Sequence, residues 1–92
     1  MKRRIRVISY AWGDKYVNDF LGLTLPALLA PGNMPFLGER YDLDLVFLTE
    51  ERQFERIRAT SSWRRLEAVC PARLVPLDDL IEERRARAAR SA

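Results

Sequence analysis

The spacing of apolar residues changes several times along this chain of 92 residues, and each change predicts a change of secondary structure. Residues 4–12 are predicted as a strand, because they are largely apolar and stop at the turn-forming pair Gly13-Asp14. From Lys15 to Leu29, apolar residues recur at intervals of three and four, which is the period of an amphipathic helix. Pro26 removes a backbone hydrogen bond inside that helix, so it either kinks the helix or starts a second one, and we expect a bend near Thr24.

The middle of the chain repeats this alternation. The helix should stop at residues 30–33, because Gly and Asn accept the left-handed cap conformation and Pro cannot continue a helix. A polar loop over residues 38–42 then leads to a second strand at 43–48, which is apolar enough to be buried on both faces. Thr49 is predicted as the N-cap of the next helix, with Glu50-Glu51 in its first turn, where the helix dipole favours negative charge.

The last third of the chain adds further helices and one strand. Thr60 is predicted to cap a short helix that Pro71 ends. Residues 72–77 are predicted as a third strand, and Pro76 near its end suits an edge strand better than a central one. Asp78 should cap the final helix. The three helices that follow Thr49 should bury apolar residues against the sheet. These residues are Phe54, Ile57, Trp63, Leu66, Val69, Leu80 and Ile81.

The order strand, helix, strand, helix, strand, helix is typical of βαβ units with right-handed crossovers. We therefore predict an α/β fold with a small, open, mainly parallel three-stranded sheet, forming a single domain over residues 1–92. Residues from about 86 to 92 should fray, since only alanine, arginine and serine remain there. The two outer strands of such a sheet have open edges, so we expect a homo-oligomer or a partner protein to cover them.

Charge and composition exclude several classes of function. The net charge of +3 includes arginine-rich segments at residues 2–6 and 84–90, but acidic residues interleave with the other cations, which argues against nucleic-acid binding. The single cysteine, Cys70, cannot form an internal disulfide, and the apolar runs are too short to cross a bilayer, so we expect a cytoplasmic protein without a membrane span. The chain has no histidine, which excludes Cys-His and Ser-His catalysis within it.

Two carboxylate pairs have spacings found in metal sites. Asp42 and Asp44 form an Asp-x-Asp pattern, which can hold a divalent cation on a diphosphate, but they precede a strand and such a motif acts at a strand's end. Asp78-Asp79 follows a strand, yet Asp78 is explained as a helix cap. We therefore predict no metal ligand and no catalytic residue within the chain. Tyr10 and Trp12, at the end of the first strand, either pack within the protein or stack on a base.

Six stretches of the sequence together carry a resemblance to a known protein family. They are Ser-Tyr-Ala-Trp-Gly-Asp-Lys-Tyr-Val at 9–17, Phe20-Leu21, Leu-Pro-Ala-Leu-Leu-Ala-Pro-Gly-Asn-Met-Pro at 25–35, Val-Phe-Leu-Thr-Glu-Glu at 46–51, Trp-Arg-Arg-Leu at 63–66 and Val-Pro-Leu-Asp-Asp-Leu at 75–80. Together they resemble the amino-terminal segment of bacterial glycosyltransferase-like proteins with a GT-A type fold. The likeness covers nearly the whole chain, and the run at 25–33 is its distinctive part. It implies that the sheet is the first half of a Rossmann-like domain.

The resemblance also implies a site. In that family, the loops after the first two strands lie near the base and ribose of a nucleotide. Carried over by position, the rim of a donor-sugar pocket would consist of Tyr10, Trp12, Gly13, Asp14, Thr49 and Arg52. The family's metal-binding Asp-x-Asp, acceptor region and catalytic base come later in longer chains, and this sequence lacks them. A divalent metal is therefore expected only if a second chain supplies its site.

Three functions agree with these observations. The first is a glycosyltransferase-like half-domain that binds a nucleotide-sugar, is not catalytic alone and acts as a binding or assembly subunit. The second is a split glycosyltransferase that needs a second chain. The third is a small βαβ interaction protein that docks on an acidic partner through its arginine-rich ends.

Overall fold

The computed structural model describes the backbone of residues 2–91, with the side chains in that range except those of residues 80–82, 90 and 91. Strands and helices alternate, as predicted. The strands are β1 (Arg4–Tyr10), β2 (Asp42–Thr49) and β3 (Ala72–Pro76). The α-helices are α1 (Asp14–Asp19), α2 (Leu25–Leu28), α3 (Met34–Arg40), α4 (Phe54–Arg58), α5 (Ser61–Val69) and α6 (Asp78–Ser91), with a π-helical turn at Phe20–Thr24 and a 3₁₀ turn at Glu51–Gln53.

The sheet has the strand order β1-β2-β3, and both strand pairs are parallel. In the first pair, Val7 lies opposite Leu45 and Ser9 opposite Phe47; in the second, Phe47 lies opposite Leu74. This confirms the predicted α/β class: a small open sheet with interleaved helices, like half of a Rossmann-like fold. Because the strand order never reverses, right-handed crossovers place both sets of connecting helices on the same face.

The two faces of the sheet consequently differ. The face under the helices carries Leu43, Leu45, Phe47 and Leu74, all of which belong to the buried core. On the opposite face Ile8 and Tyr10 are 65% and 77% exposed. We call this second face the open face; by strand alternation its residues are Arg4, Arg6, Ile8, Tyr10, Asp42, Asp44, Val46, Leu48, Arg73 and Val75.

The core joins the sheet to the helices through aromatic and aliphatic packing. The rings of Phe20 and Phe47 are stacked, with centroids 4.0 Å apart and planes 11° from parallel, which fixes the first helical segment on the central strand. Ile57, Trp63 and Leu66 are buried, as the helical spacing predicted. Phe54 and Val69 are only partly buried and pack against the edge of this core.

A π-helical turn lies where the bend near Thr24 was expected. Pro26 has no N–H to donate to the carbonyl of Gly22, and its ring would clash with that carbonyl in a regular α-helix. The turn at Phe20–Thr24 widens the helix just before the proline, and α2 follows it directly at Leu25. It also leaves Phe20, Leu21 and Leu25 buried on one side.

One helix was missed by the sequence analysis, which assigned residues 38–42 to a loop. Residues up to Arg40 form α3 instead, with Pro35 in the first turn, where a proline's missing N–H costs nothing. Met34 at its start is buried and holds the helix on the core. The preceding stop is at the predicted place, but the predicted left-handed cap is wrong: Asn33 has a φ of −106° and its amide donates to the carbonyl of Ala27 (2.6 Å).

Smaller differences concern the ends of elements. β1 stops at Tyr10 rather than residue 12, and β3 stops at Pro76. Thr49 is the last residue of β2, so its prediction as a helix N-cap is wrong; the predicted cap at Thr60 is confirmed by its bond from the Trp63 N–H (3.3 Å). Asp78, predicted to cap the final helix, is the first residue of α6, and its carboxylate accepts from the Glu51 N–H (2.9 Å). The fraying expected beyond residue 86 stays a prediction.

Candidate functional site

Two loops meet at the carboxyl edge of the sheet, where ligands bind in open α/β folds. The loop after β1 turns at Gly13, whose φ of 91° lies in the left-handed region that favours glycine. The loop after β2 contains Glu50 and the 3₁₀ turn. The N–H of Gly13 donates to Glu50 Oε1 (2.5 Å), so a side chain from the second loop is fastened to the backbone of the first.

A chain of polar side chains extends this contact. Gln53 Nε2 donates to Asp14 Oδ1 (2.7 Å), and Arg52 bridges Asp14 and Glu50 at 3.1 and 2.8 Å. Arg56 donates twice to Gln53 Oε1, at 2.7 and 3.0 Å, and reaches Asn18 Oδ1 at 2.6 Å. Glu50 and Gln53 are buried although both are polar. We call the set Asp14, Asn18, Glu50, Arg52, Gln53 and Arg56 the loop network.

The loop network engages two groups that could otherwise hold a phosphate. In Rossmann-type sites the first βα turn presents its N–H groups to a phosphate, whereas here the Gly13 N–H is bound to the Glu50 carboxylate. Arg52 lies between two carboxylates, so its positive charge is locally balanced. A hydrogen bond from Gln53, and then the charge of Arg52, hold the pKa of Asp14 below its usual value. These loops therefore favour their own closed network over an added anion.

Beside the loop network lies a shallow, largely apolar pocket of about 420 Å³. It is formed at the carboxyl ends of β1 and β3 by Tyr10, Ala11, Trp12, Tyr16 and Leu77. Tyr10 and Tyr16 are 77% and 61% exposed, and Trp12 is 37% exposed. Large aromatic side chains in such numbers at one open place offer flat surfaces on which a planar ring can stack. We call this the aromatic pocket.

The six residues singled out in the sequence fall into three groups. Tyr10 and Trp12 line the aromatic pocket. Gly13, Asp14 and Arg52 meet in the loop network. Thr49 lies apart from the surface: it is fully buried, and its hydroxyl has no hydrogen-bond partner among the described residues. A residue without exposed surface cannot touch a ligand in this conformation, so Thr49 does not belong to a rim.

Several residues of this edge were missed by the sequence analysis. Tyr16 was counted only as part of a helix, although its place two residues after Asp14 puts it in the first turn of α1 at the same strand end. Glu50 was placed in the first turn of a helix, and Gln53 was not singled out. Glu50 contacts Gly13, 37 positions earlier, and Gln53 contacts Asp14, 39 positions earlier; no local pattern predicts these two pairs.

Two further cavities lie at the opposite, amino edge of the sheet. They measure about 360 and 230 Å³ and share Arg4 and Asp44. Asp44 receives two hydrogen bonds from Arg6, at 2.9 and 3.0 Å, and this pairing lowers the pKa of its carboxyl. Arg6 and Asp44 are already paired with each other and partly open to solvent, and such pairs offer little binding energy, so the carboxyl edge is the better candidate site.

Comparisons with known proteins add no assignment: no family model, curated protein or solved structure matches this chain. Over the part of the chain that is described, His, Cys, Asp and Glu side chains nowhere gather in a group of three that could hold a metal ion. Within the same part, helices long and apolar enough to cross a membrane do not occur.

Proposed function

We propose that this chain is a glycosyltransferase-like half-domain that binds the nucleoside end of a nucleotide-sugar and acts as a binding or assembly subunit, without catalysis of its own. The observation that carries the proposal is the aromatic pocket, an open site at the carboxyl edge of a half Rossmann-like sheet. The bases of all nucleotides have flat π-faces, and stacking one base on an aromatic side chain contributes about 1–3 kcal/mol.

The loop network limits how the rest of the ligand is held. Because the Gly13 N–H and Arg52 are engaged within the protein, the diphosphate has little to gain from these loops. We therefore expect the nucleoside to supply most of the affinity, with a nucleoside and its diphosphate binding within about ten-fold of each other. Transfer of the sugar would require the acid-base and metal groups that the resemblance assigns to other parts of longer proteins.

Titration calorimetry with uridine, uridine diphosphate and uridine diphosphate-glucose, repeated with the guanine series, tests this proposal. Tyr16→Ala should weaken binding of the preferred base by about five-fold or more, the lower end of a stacking contribution. Leu23→Ala is the matched control, because Leu23 is 70% exposed and Tyr16 61% exposed, and only Tyr16 lines the pocket. Equal affinity of the two variants, or no binding by wild type at millimolar ligand, would refute the nucleoside site.

A further inference from the structure

We propose that two copies of this chain pair antiparallel through their β1 strands, with residue i of one copy opposite residue 14 − i of the other. The result is a six-stranded sheet in which both helical layers lie on the same side. The inference rests on the assembly part of the proposed function and names its partner; it shares Tyr10 with the aromatic pocket but none of the other residues that line it.

The two edges of the sheet differ in how open they are. β3 is five residues long and ends at Pro76. The Pro71 carbonyl and the Leu77 N–H both bond to β2, so the even-numbered residues of β3 face outward, and Pro76 has no N–H to donate at that edge. β1 is seven residues long, contains no proline and pairs without interruption with β2 from Arg4 to Tyr10. Short, proline-flanked strands are a common way to prevent edge pairing, so the sheet protects its β3 edge and leaves β1 available.

The backbone of β1 shows which groups point outward. The Asp42 N–H donates to the Arg3 carbonyl (2.8 Å), and the Ala11 N–H donates to the Leu48 carbonyl (3.1 Å). The odd-numbered residues of β1 therefore face β2. Since successive residues of a strand direct their N–H and C=O groups to opposite sides, the even-numbered residues, Arg4, Arg6, Ile8 and Tyr10, present theirs at the open edge.

This alternation restricts the register of an antiparallel partner. The outward N–H and C=O groups of the two β1 strands face each other only when an even-numbered residue of one copy lies opposite an even-numbered residue of the other. Placing residue i opposite 14 − i pairs Arg4 with Tyr10 and Arg6 with Ile8 in both directions, so every outward residue of β1 exchanges both of its hydrogen bonds. A shift of two residues either way leaves an outward residue without a partner in β1.

Side chains on the open face favour the same register. Arg4 of one copy would lie beside the ring of Tyr10 of the other, an arrangement for a cation–π contact. The aliphatic stem of Arg6 would cover Ile8, which is 65% exposed in the single chain. Shifting so that residue i faces 12 − i would set Arg6 directly opposite a second Arg6, and like charges opposite each other are destabilising. In the 14 − i register each Arg6 lies opposite Ile8 and not opposite another arginine, so its charge does not oppose the pairing.

Sedimentation equilibrium of wild type, Ile8→Lys and Ile8→Glu tests the pairing. Wild type should dimerise, giving twice the 10.7 kDa mass of one chain. Lys at position 8 would face Arg6 of the other copy and should raise the dimer Kd at least ten-fold, whereas Glu would face the same Arg6 as a counter-ion and should keep the Kd within about three-fold of wild type. Leu23→Lys, an equally exposed aliphatic site away from β1, is the control and should not change the Kd.

Other outcomes would contradict the inference. A wild-type chain that stays monomeric at millimolar concentration overturns it, as does equal weakening by Lys and Glu at position 8, which would indicate nonspecific apolar association. Circular dichroism establishes that each variant is folded. Uridine diphosphate titrations of the same samples keep the two proposals separate. A wild-type chain that binds the nucleotide but stays monomeric overturns the pairing alone, and a wild-type dimer that does not bind it overturns the nucleoside site alone.

Discussion

Removal of the Glu50 carboxylate should loosen the two loops at the carboxyl edge and destabilise the fold. Glu50 is 4% exposed and accepts from the Gly13 N–H and from Arg52. A hydrogen bond to a charged group contributes about 1.5–3 kcal/mol. The Arg52 pair adds at most about 1 kcal/mol, because the arginine side chain is 61% exposed and its charge is screened. Releasing a buried carboxylate from its desolvation offsets part of this, so Glu50→Ala should lower the free energy of unfolding by about 2 kcal/mol.

Urea unfolding followed by circular dichroism measures this change, provided that the denaturant dependence, m, is the same for each variant. Glu50→Gln keeps an acceptor for the Gly13 N–H but removes the charge, so it should lower the free energy of unfolding by about half as much as Glu50→Ala. Glu39→Ala is the control: Glu39 is 78% exposed in a loose pair with Arg40 and should change stability by less than about 0.5 kcal/mol. If Glu50→Ala matched Glu39→Ala, the loop network would not be fastening the loops.

Three further measurements test other parts of the structure. Below about pH 4, the stability of wild type, measured by urea titration, should fall with decreasing pH more steeply than that of Asp44→Asn. The pKa of Asp44 is lower in the folded than in the unfolded protein, so the unfolded chain binds more protons and acid favours unfolding. Parallel curves of stability against pH for the two proteins would contradict this. Burial raises the pKa of the Cys70 thiol, so a thiol reagent should label it only as the protein unfolds, and rapid labelling of folded protein would be inconsistent. Ile57→Ala should cost about 3 kcal/mol in thermal or urea unfolding because Ile57 is fully buried; a cost under 1 kcal/mol would mean that the core closes around the gap.

The parts of the fold that follow a local period were predictable from the sequence. The helical spacing from Val17 to Leu29 and the apolar run of β2 depend only on neighbouring residues, and both elements form as expected. The cap at Thr60 is equally local, since the hydroxyl bonds to an N–H three residues later. The order of these elements along the chain was sufficient to predict a parallel sheet.

What the sequence did not predict depends on contacts between distant residues or on weak local patterns. α3 contains Pro35 and Gly38, two residues that usually mark a loop, and its stability comes from burying Met34 rather than from helix propensity. The role of Glu50 depends on Gly13, 37 residues earlier. Thr49 resembles a helix cap in the sequence because threonine is common both at strand ends and at helix N-caps. In the structure it is buried at the end of β2.

The most direct test of the central claim is to map uridine diphosphate binding onto the chain by NMR, following every backbone amide during a titration. The account predicts that shifts concentrate at residues 10–16 and at Leu77, around the aromatic pocket, and that uridine alone shifts the same amides. Shifts that instead concentrate around Arg4, Arg6 and Asp44 at the amino edge, or that appear with the diphosphate and not with uridine, would contradict a nucleoside site at the carboxyl edge.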